Sequence, residues 1–393
     1  MRLLLSCDEY CYFYNGRYYV SDNGITFINR YLAAFNEIFI AFRTKVVSSH
    51  EHIVSRNLVD SNRIHFINIP FFQGPMQFLL KYFALKRGIS KEIEKCDFAI
   101  LRIPSATAFV VFQEIRKRRI PYATEVVFDC YDEMRAASDF KNRFIWKCLH
   151  SLQVRACNNA LGVSCVTEKY LQKRYFPTRP NAITSHYSSI ELTEDFFLHP
   201  RKYPAKSVFR LVHVANQIQY NGRKGHNELI KVLSRLNANG KRAEIVFIGE
   251  DYFNGIEKLR SLVVNMGVAD DVIFTGYLNK QELRNELVNA DIAVLPTKAE
   301  GLPRVVIEAM ALGLPCITSP VSGNPELINE QFLIEYDNIN GMADACMKFI
   351  SDKTLYEQES LENFEKSRQY SATILNPRRT KFYNDLINLV KNK

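Results

Sequence analysis

The amino-acid sequence predicts an α/β protein made of two Rossmann-like domains that face each other across a cleft. Short apolar runs alternate with amphipathic stretches along the chain, which is the pattern of strands and helices around a parallel sheet. This alternation occurs twice, on either side of residues 189–207, a segment without a clear period that contains Pro200 and Pro204. At 393 residues the chain is also too long for one ordinary core.

The first half of the chain contains six apolar runs that predict strands. A helix is predicted from Gly24 onward, because apolar residues recur at helical spacing as far as Phe42. Two more helices are expected, one that ends near Arg118 and one that begins at Thr167. The predicted strands cover residues 2–6, 45–47, 64–69, 98–101, 122–128 and 161–165.

The second half repeats the arrangement and ends in two charged helices. We therefore expect one domain over residues 1–198 and another over residues 199–369. The predicted strands of the second half cover residues 209–214, 243–248, 272–274, 292–295 and 316–318. The predicted helices cover residues 227–237, 255–266, 279–289 and 305–312, a stretch from residue 342, and residues 355–367 and 378–391.

The composition restricts the kind of partner and the compartment. A net charge of +9 fits nucleic acid, an anionic membrane face or a phosphorylated substrate, or simply a solvated basic surface. Nucleic acid is not expected, because no zinc-finger pattern and no aromatic run of the RNA-recognition type occurs. The nine cysteines form no C-x-x-C pair, which favours free thiols in a reducing cytoplasm and argues against a metal site. No apolar stretch approaches the roughly 20 residues that a membrane span needs.

Residues 291–328 carry the strongest chemical signal. A buried strand ends at Pro296, and α/β sheets bind ligands beyond the carboxyl ends of their strands. Glu300 and Gly301 follow in a loop, and a helix begins near Pro303, where the first backbone amides suit a diphosphate. Glu308 lies more than one turn further along. Two carboxylates on either side of a helix start can hold the two ends of an elongated ligand with sugar hydroxyls.

These residues resemble the E-x7-E motif of the family 4 retaining glycosyltransferases, which have the GT-B fold. The Gly-Leu-Pro run at residues 313–315 and the Ser-Gly-Asn-Pro-Glu run at residues 322–326 resemble the two signatures that follow it. The resemblance implies that Glu308 binds the ribose hydroxyls of a nucleotide and that Glu300 contacts the transferred sugar. It also implies that the residues around the helix start face phosphate or sugar, namely Gly301, Leu302, Pro303 and Arg304.

Lys224 and Gly225 resemble another element of the family, whose lysine neutralises the donor diphosphate. Many members have an arginine several residues earlier, where this chain has residues 216–220. Asn216 is therefore included in the expected donor site, and Arg223 is a second candidate for the positive charge. Because a lysine or arginine can stabilise the leaving group directly, no metal and no other cofactor is expected. The alternative is a solvent-exposed basic turn without a role in binding, which would have the same sequence.

The first half resembles the family less closely. Gly24 stands where members have a glycine-containing loop near phosphate and acceptor. Asp129 follows a predicted strand at a place where some members have a histidine, so that either Asp129 or Asp132 is a candidate to position an acceptor hydroxyl. A helix N-cap is the alternative role for Asp132. Residues 71–87 mix aromatic side chains with cations, which fits either a membrane-surface helix or a core helix with a basic edge.

The resemblance implies a retaining, metal-independent transfer of a sugar from a nucleotide-sugar donor to a glycan or lipid-linked acceptor in cell-surface polysaccharide biosynthesis. The donor is expected in residues 199–369 and the acceptor in residues 1–198, with a C-terminal helix at residues 370–393 completing the first domain. Two alternatives stay open, a catalytically silent nucleotide-sugar-binding or partner subunit, and a GT-B epimerase acting on nucleotide sugars. The expected location is the cytoplasm, peripheral at the cytoplasmic face of the membrane.

Overall fold

The computed structural model describes residues 1–54, 56–137, 139–238, 240 and 243–392. The chain forms two compact units. The first contains Met1–Tyr187 together with Asn376–Lys393, and the second contains Ser188–Leu375. No helix among the described residues is long and apolar enough to cross a membrane.

The first unit is an α/β unit around one twisted sheet. In space the main strands run in the order β10-β9-β8-β7-β1-β3, and all of these neighbours are parallel. The strands are β1 Arg2–Tyr14, β2 Arg17–Val20, β3 Glu37–Val46, β4 Asn57–Leu58, β5 Ile64–Phe66, β6 Ile69–Pro70, β7 Phe98–Ile103, β8 Tyr122–Val126, β9 Gly162–Cys165 and β10 Ile183–His186. The helices are α1 Asp22–Leu32, α2 Gly74–Glu92, α3 Ala106–Arg118, α4 Cys130–Ala136 and α5 Phe140–Asn158.

Three local predictions for this unit are wrong. The first strand continues to Tyr14 and turns back at Asn15-Gly16, where both residues have positive φ, into the antiparallel β2. The first helix ends at Leu32, and Ile38 and Phe42, which had extended it, belong to β3. Only a short 3-10 helix, Leu171–Lys173, lies where a helix from Thr167 was expected.

The second unit is built on a five-stranded parallel sheet with the order β13-β12-β11-β14-β15. The strands are β11 Phe209–Ile218, β12 Ala243–Asp251, β13 Val272–Gly276, β14 Ile292–Leu295 and β15 Cys316–Thr318. All five contain a predicted strand, because fully buried parallel strands are read from short apolar runs. The helices are α6 His226–Ala238, α7 Gly255–Asn265, α8 Lys280–Asn289, α9 Arg304–Ala311, α10 Ile339–Ser351 and α11 Lys353–Ser367.

The last helix, α12, spans Ala372–Lys391 and passes from the second unit into the first, with Pro377 just beyond the boundary. A buried carboxylate, Glu125, anchors it in the first unit. The Tyr383 hydroxyl of α12 donates to Glu125 at 2.7 Å, and the hydroxyls of Tyr31 and Tyr187 donate at 2.7 and 2.9 Å. Burial alone would raise the pKa of Glu125, but the Arg102 guanidinium at 3.1 Å and the three hydroxyls lower it. The carboxylate therefore stays ionised and ties α12 to the sheet.

Candidate active site

The candidate site lies at the point where the second sheet reverses its winding. The chain moves from the central strand β11 to β12 and β13 on one side, and then to β14 and β15 on the other. The loops after β11 and β14 therefore leave the sheet side by side, because these two parallel strands are neighbours. In open α/β sheets this position is where ligands bind.

The two loops touch along their backbones. The amide of Lys298 donates to the carbonyl of Arg223 at 3.0 Å. Gly225 has φ +67°, and a Cβ there would come within 2.6–2.7 Å of Pro296, so that only glycine fits without moving one of the loops. This close approach holds Lys224 beside the loop that carries Glu300.

Lys224 and Glu300 form an ion pair between the Nζ and Oε1 atoms. Their side chains keep 22% and 12% of their exposure, so that the pair is sheltered but still open to a small solute. A part-buried pair of this kind is stronger than a surface pair, because water screens it less. The structure therefore brings together two of the residues that the motifs singled out from positions 76 residues apart.

A third loop, which follows β15, is hydrogen-bonded to the loop that carries Glu300. The Ser319 hydroxyl accepts from the amide of Thr297 at 3.0 Å, and the Ser322 hydroxyl accepts from the amide of Glu300 at 3.2 Å. The amide of Gly323 donates to the carbonyl of Gly301 at 2.9 Å. Residues 322–326, which resembled a family signature, thus position the Glu300 loop through hydrogen bonds.

Helix α9 starts directly after this loop and has no side-chain cap. Pro303 is the N-cap residue, it makes no capping hydrogen bond, and the first turn contains no acidic residue. Gly301, Leu302 and Pro303 are buried, whereas Arg304 is exposed. A helix start in this state offers backbone N–H groups and the positive end of the helix dipole to an anion.

Glu308 lies one turn into α9 and is part-buried. Burial raises its pKa, against the opposing charges of Arg304 and Lys280. Among the described residues, none donates a hydrogen bond to its carboxylate. A part-buried carboxylate without a donor carries a desolvation cost that ligand hydroxyl groups would offset.

Two buried histidines lie near the loop after β11 that carries Lys224. His213 on β11 and His226 at the start of α6 are fully buried, with ring centroids 4.7 Å apart. Burial, together with the charge of Lys224, lowers the pKa of His213 to about 4 and that of His226 to about 2. Both rings are therefore neutral at pH 7, and Lys224 and Arg223 remain the local cations of this loop.

Two other predicted residues of this unit lie on the surface. Asn216 is exposed near the carboxyl end of β11, beside a shift in register after Val214. Arg223 is also exposed, next to Lys224. Their roles stay predictions.

Gly24 and Asp129 belong to the first unit. The amide of Gly24, in the first turn of α1, donates to the Ser21 hydroxyl at 3.1 Å. Asp129 is fully buried and caps α4, where it accepts from the amide of Tyr131 at 2.8 Å and from Arg174 at 2.6 Å. The N-cap is thus Asp129, whereas the sequence had suggested Asp132. Because Asp129 already has these partners, it is poorly placed for an acceptor, although its catalytic role remains an untested prediction.

Sequence reasoning missed two exposed aromatic side chains at the same edge of the second sheet. Tyr277 follows β13 directly and is 71% exposed, and Phe253 follows β12 and is 77% exposed. Phe253 and Asn254 both have positive φ, an unusual backbone for residues other than glycine. The signal that could have found them is their position just after apolar strands, where ligand contacts collect.

Comparison with known proteins shows which families and structures the chain resembles. Residues 201–368 match the family model described as glycosyl transferases group 1. Protein CapJ of Staphylococcus aureus is 26% identical over 94% of this chain and 92% of its own length. The UDP-Gal:alpha-D-GlcNAc-diphosphoundecaprenol alpha-1,3-galactosyltransferase of Escherichia coli is 34% identical, over 23% of this chain and 24% of its own.

Among solved structures, sucrose-phosphate synthase from Thermosynechococcus elongatus has a similar fold. It covers 99% of both chains with a TM-score of 0.74 at 15% sequence identity, which supports the fold alone. The predicted GT-B fold class is confirmed. Residues 201–368 are similar to the group 1 glycosyl transferases, and the chain is a glycosyltransferase enzyme.

Proposed function

We propose that this chain is a retaining glycosyltransferase that moves a sugar from a nucleotide-sugar donor to a glycan or lipid-linked acceptor in cell-surface polysaccharide assembly. The observation that carries the proposal is the meeting of four features at the switch point of the second sheet. These are the cation of Lys224, the carboxylate of Glu300, the uncapped start of α9, and a Glu308 carboxylate that receives no donor from the described residues.

The four features match the parts of a nucleotide sugar. Lys224 and the amides at the start of α9 are suited to a diphosphate, because both supply positive potential. Glu308 accepts from the ribose hydroxyls, and Glu300 accepts from hydroxyls of the sugar. When the glycosidic bond to the diphosphate breaks, negative charge grows on the leaving oxygen, and preorganised positive groups stabilise this transition state more than the ground state.

The ion pair between Lys224 and Glu300 has a consequence for donor binding. In the free protein Glu300 neutralises the lysine, so that an incoming diphosphate competes with Glu300 for the ammonium group. Glu300 is then released toward the sugar, where it becomes an acceptor for hydroxyl groups. We infer that donor binding rearranges this pair, and that Glu300 favours the complete nucleotide sugar over the bare nucleoside diphosphate.

No metal takes part in the proposed reaction, because the positive charge at the diphosphate comes from Lys224, with Arg223 beside it, and from a helix start. The Escherichia coli relative is named for a UDP-sugar donor and an acceptor linked to diphosphoundecaprenol. We extend a donor of this class and a lipid-linked acceptor to this chain as part of the proposal. The acceptor would be met at an anionic membrane face on the cytoplasmic side.

The test is a transfer assay with a panel of nucleotide sugars, with and without a lipid-linked or glycan acceptor, in the presence of EDTA. We expect acceptor-dependent release of a nucleoside diphosphate from one donor class and retention of the anomeric configuration in the product. Inversion of configuration, or activity that disappears with EDTA and returns with Mg²⁺, would contradict the proposal.

A variant of Glu300 tests the role of the ion pair. Glu300→Gln removes the partner of Lys224, so that turnover should fall while affinity for the bare nucleoside diphosphate stays equal or rises. The matched control is Glu257→Gln, which changes an exposed carboxylate on α7 of the same unit. Equal turnover of the Glu300 variant and the control would remove Glu300 from the site.

A further inference from the structure

Helix α2 exposes an apolar stripe on the side opposite to its packed face. Leu85 and Ile89 are its buried residues. The stripe consists of four large apolar side chains at positions i, i+3, i+4 and i+7, each 65–79% exposed: Met76, Leu79, Leu80 and Phe83. Four such residues in one row are unusual on a protein surface, because single exposed apolar residues are the normal case.

The same face of α2 becomes cationic toward its C-terminus. Arg87 and Lys91 are exposed and follow Leu80 and Phe83 at helical spacing. Of the neighbouring carboxylates, Glu92 is paired with Lys95 at 2.6 Å, and Glu94 with Arg118 at 3.4 Å. The face therefore combines a row of apolar side chains with positive charge.

Helix α5 repeats the combination at its start. Phe140 and Phe144 are 85% and 58% exposed, and Arg143 and Lys147 occupy positions i+3 and i+7 of the same row. Asp139 precedes this row but is engaged as the N-cap of α5, where it accepts from the amide of Asn142 at 2.8 Å. Both helices are reached from the carboxyl end of a parallel strand of the same sheet, α2 directly from β6 and α5 from β8 by way of α4.

The charge of the two units is strongly asymmetric. Residues 1–187 and 376–393 contain 31 Lys and Arg against 17 Asp and Glu, a net charge of +14. Residues 188–375 contain 20 against 25, a net charge of −5. The first unit thus carries all of the net positive charge of the chain, and the exposed apolar rows lie on this unit.

We propose that the α2 row (Met76, Leu79, Leu80 and Phe83) and the α5 row (Phe140 and Phe144) form a docking surface that inserts into an anionic lipid bilayer. Apolar side chains enter the interface between headgroups and acyl chains, while lysine and arginine side chains reach the anionic headgroups. A second copy of the chain is a poorer occupant, because two units of +14 would repel each other.

The exposed side chains of the segment 71–87 differ from those that stand out in its sequence. Phe72 is buried and Phe71 and Phe78 are partly buried, so that the aromatic side chains most evident in the sequence are not the exposed ones. Lys81 donates to the carbonyl of Phe71 at 2.6 Å, which makes it a support of the local fold. Arg87 and Lys91 are therefore better residues for testing attraction to headgroups.

The experiment is co-sedimentation of the full chain with vesicles of phosphatidylcholine alone and of phosphatidylcholine with phosphatidylglycerol. We expect binding to the anionic vesicles at low salt and release as salt rises, because exposed charges are screened. Leu80→Glu with Phe83→Glu should lower the partition coefficient at least tenfold, an order-of-magnitude expectation from the lost apolar insertion. The control is Val264→Glu with Leu361→Glu, which changes two exposed apolar residues of the second unit and should leave binding unchanged.

A second variant separates charge from insertion. Arg87→Gln with Lys91→Gln should lower anionic vesicle binding by roughly 25-fold, about fivefold for each cation near the surface. Nucleoside diphosphate affinity and the thermal unfolding temperature should be unchanged in all variants, which shows that they fold and keeps this test independent of the proposed function.

Wild-type protein that stays in the supernatant with anionic vesicles, or a Leu80/Phe83 variant that sediments like wild type, would overturn the proposal. A wild-type dimer in sedimentation velocity that the same variant dissociates would also overturn it, in favour of a second copy on this surface.

Discussion

Replacing Glu308 with glutamine should move stability and ligand affinity in opposite directions. The carboxylate is part-buried, no described residue donates to it, and its pKa is raised by burial. Its charge is therefore a cost to the free protein, and the neutral amide of Glu308→Gln removes this cost. The free energy of unfolding at pH 7 should stay equal or rise.

Affinity should fall in the same variant. A hydrogen bond between a charged group and a hydroxyl contributes about 1–3 kcal/mol. Its loss corresponds to a dissociation constant for the nucleoside diphosphate that is roughly 5- to 150-fold higher. Isothermal titration calorimetry with UDP, GDP and ADP measures this change, and urea unfolding measures stability. Glu365→Gln, an exposed position on α11, is the matched control.

The pH dependence gives an internal check. Because the folded-state pKa of Glu308 is raised, the folded protein binds this proton more tightly than the unfolded chain does. The contribution of Glu308 to stability is present at low pH and is lost as pH rises through the folded pKa. Glu308→Gln should lack this loss. Unchanged affinity together with reduced stability would refute the reasoning, since Glu308 would then be a structural residue.

Three further outcomes are expected. Lys224→Ala should lower turnover more than donor affinity, because negative charge grows on the leaving group in the transition state. Steady-state kinetics give the turnover and calorimetry gives the affinity. If turnover is retained in Lys224→Ala but lost in Arg223→Ala, the role assigned to Lys224 belongs to Arg223. The lowered pKa values of His213 and His226 mean that stability is complete above pH 6.5 and falls progressively as pH drops toward 4, and His213→Phe should reduce this loss in urea unfolding at pH 7 and 5. Tyr277→Ala should weaken nucleotide binding by about 1–3 kcal/mol if the base stacks on this ring, and calorimetry showing no change would exclude stacking.

The strands of the second unit could be predicted because each is a short apolar run buried on both faces. The beginning of the chain was harder. Apolar residues between Gly24 and Phe42 occur at spacings that fit a helix, but residues from Glu37 onward form a strand that pairs with β1. Local periodicity cannot anticipate such pairing, because the partner strand lies more than 30 residues away in sequence. The Asn15-Gly16 turn was visible in the sequence as a hairpin signal and was missed.

The exposed side chains could not be predicted in the same way. The letters of residues 71–87 fit both a core helix and a surface helix, because aromatic, aliphatic and cationic residues occur on every side of α2. Burial of Leu85 and Ile89 decides which side packs, and this depends on how α2 lies against the rest of the first unit. Likewise, Asp129 follows a strand as a catalytic carboxylate would, but Arg174 and Tyr175 reach it from 45 and 46 residues away.

The sequence by itself indicated the resemblance to glycosyltransferases, the α/β class and the residue types of the candidate donor site, since the Glu300 to Glu308 motif and the loop with Lys224 are local in the chain. Only the tertiary structure decided which of these residues meet. Lys224 and Glu300 are paired because β11 and β14 are neighbours in the sheet and because Gly225 lets their loops touch at Pro296. The order of strands and the close approach of two backbones are properties of the packed sheet, and no local pattern of residues specifies them.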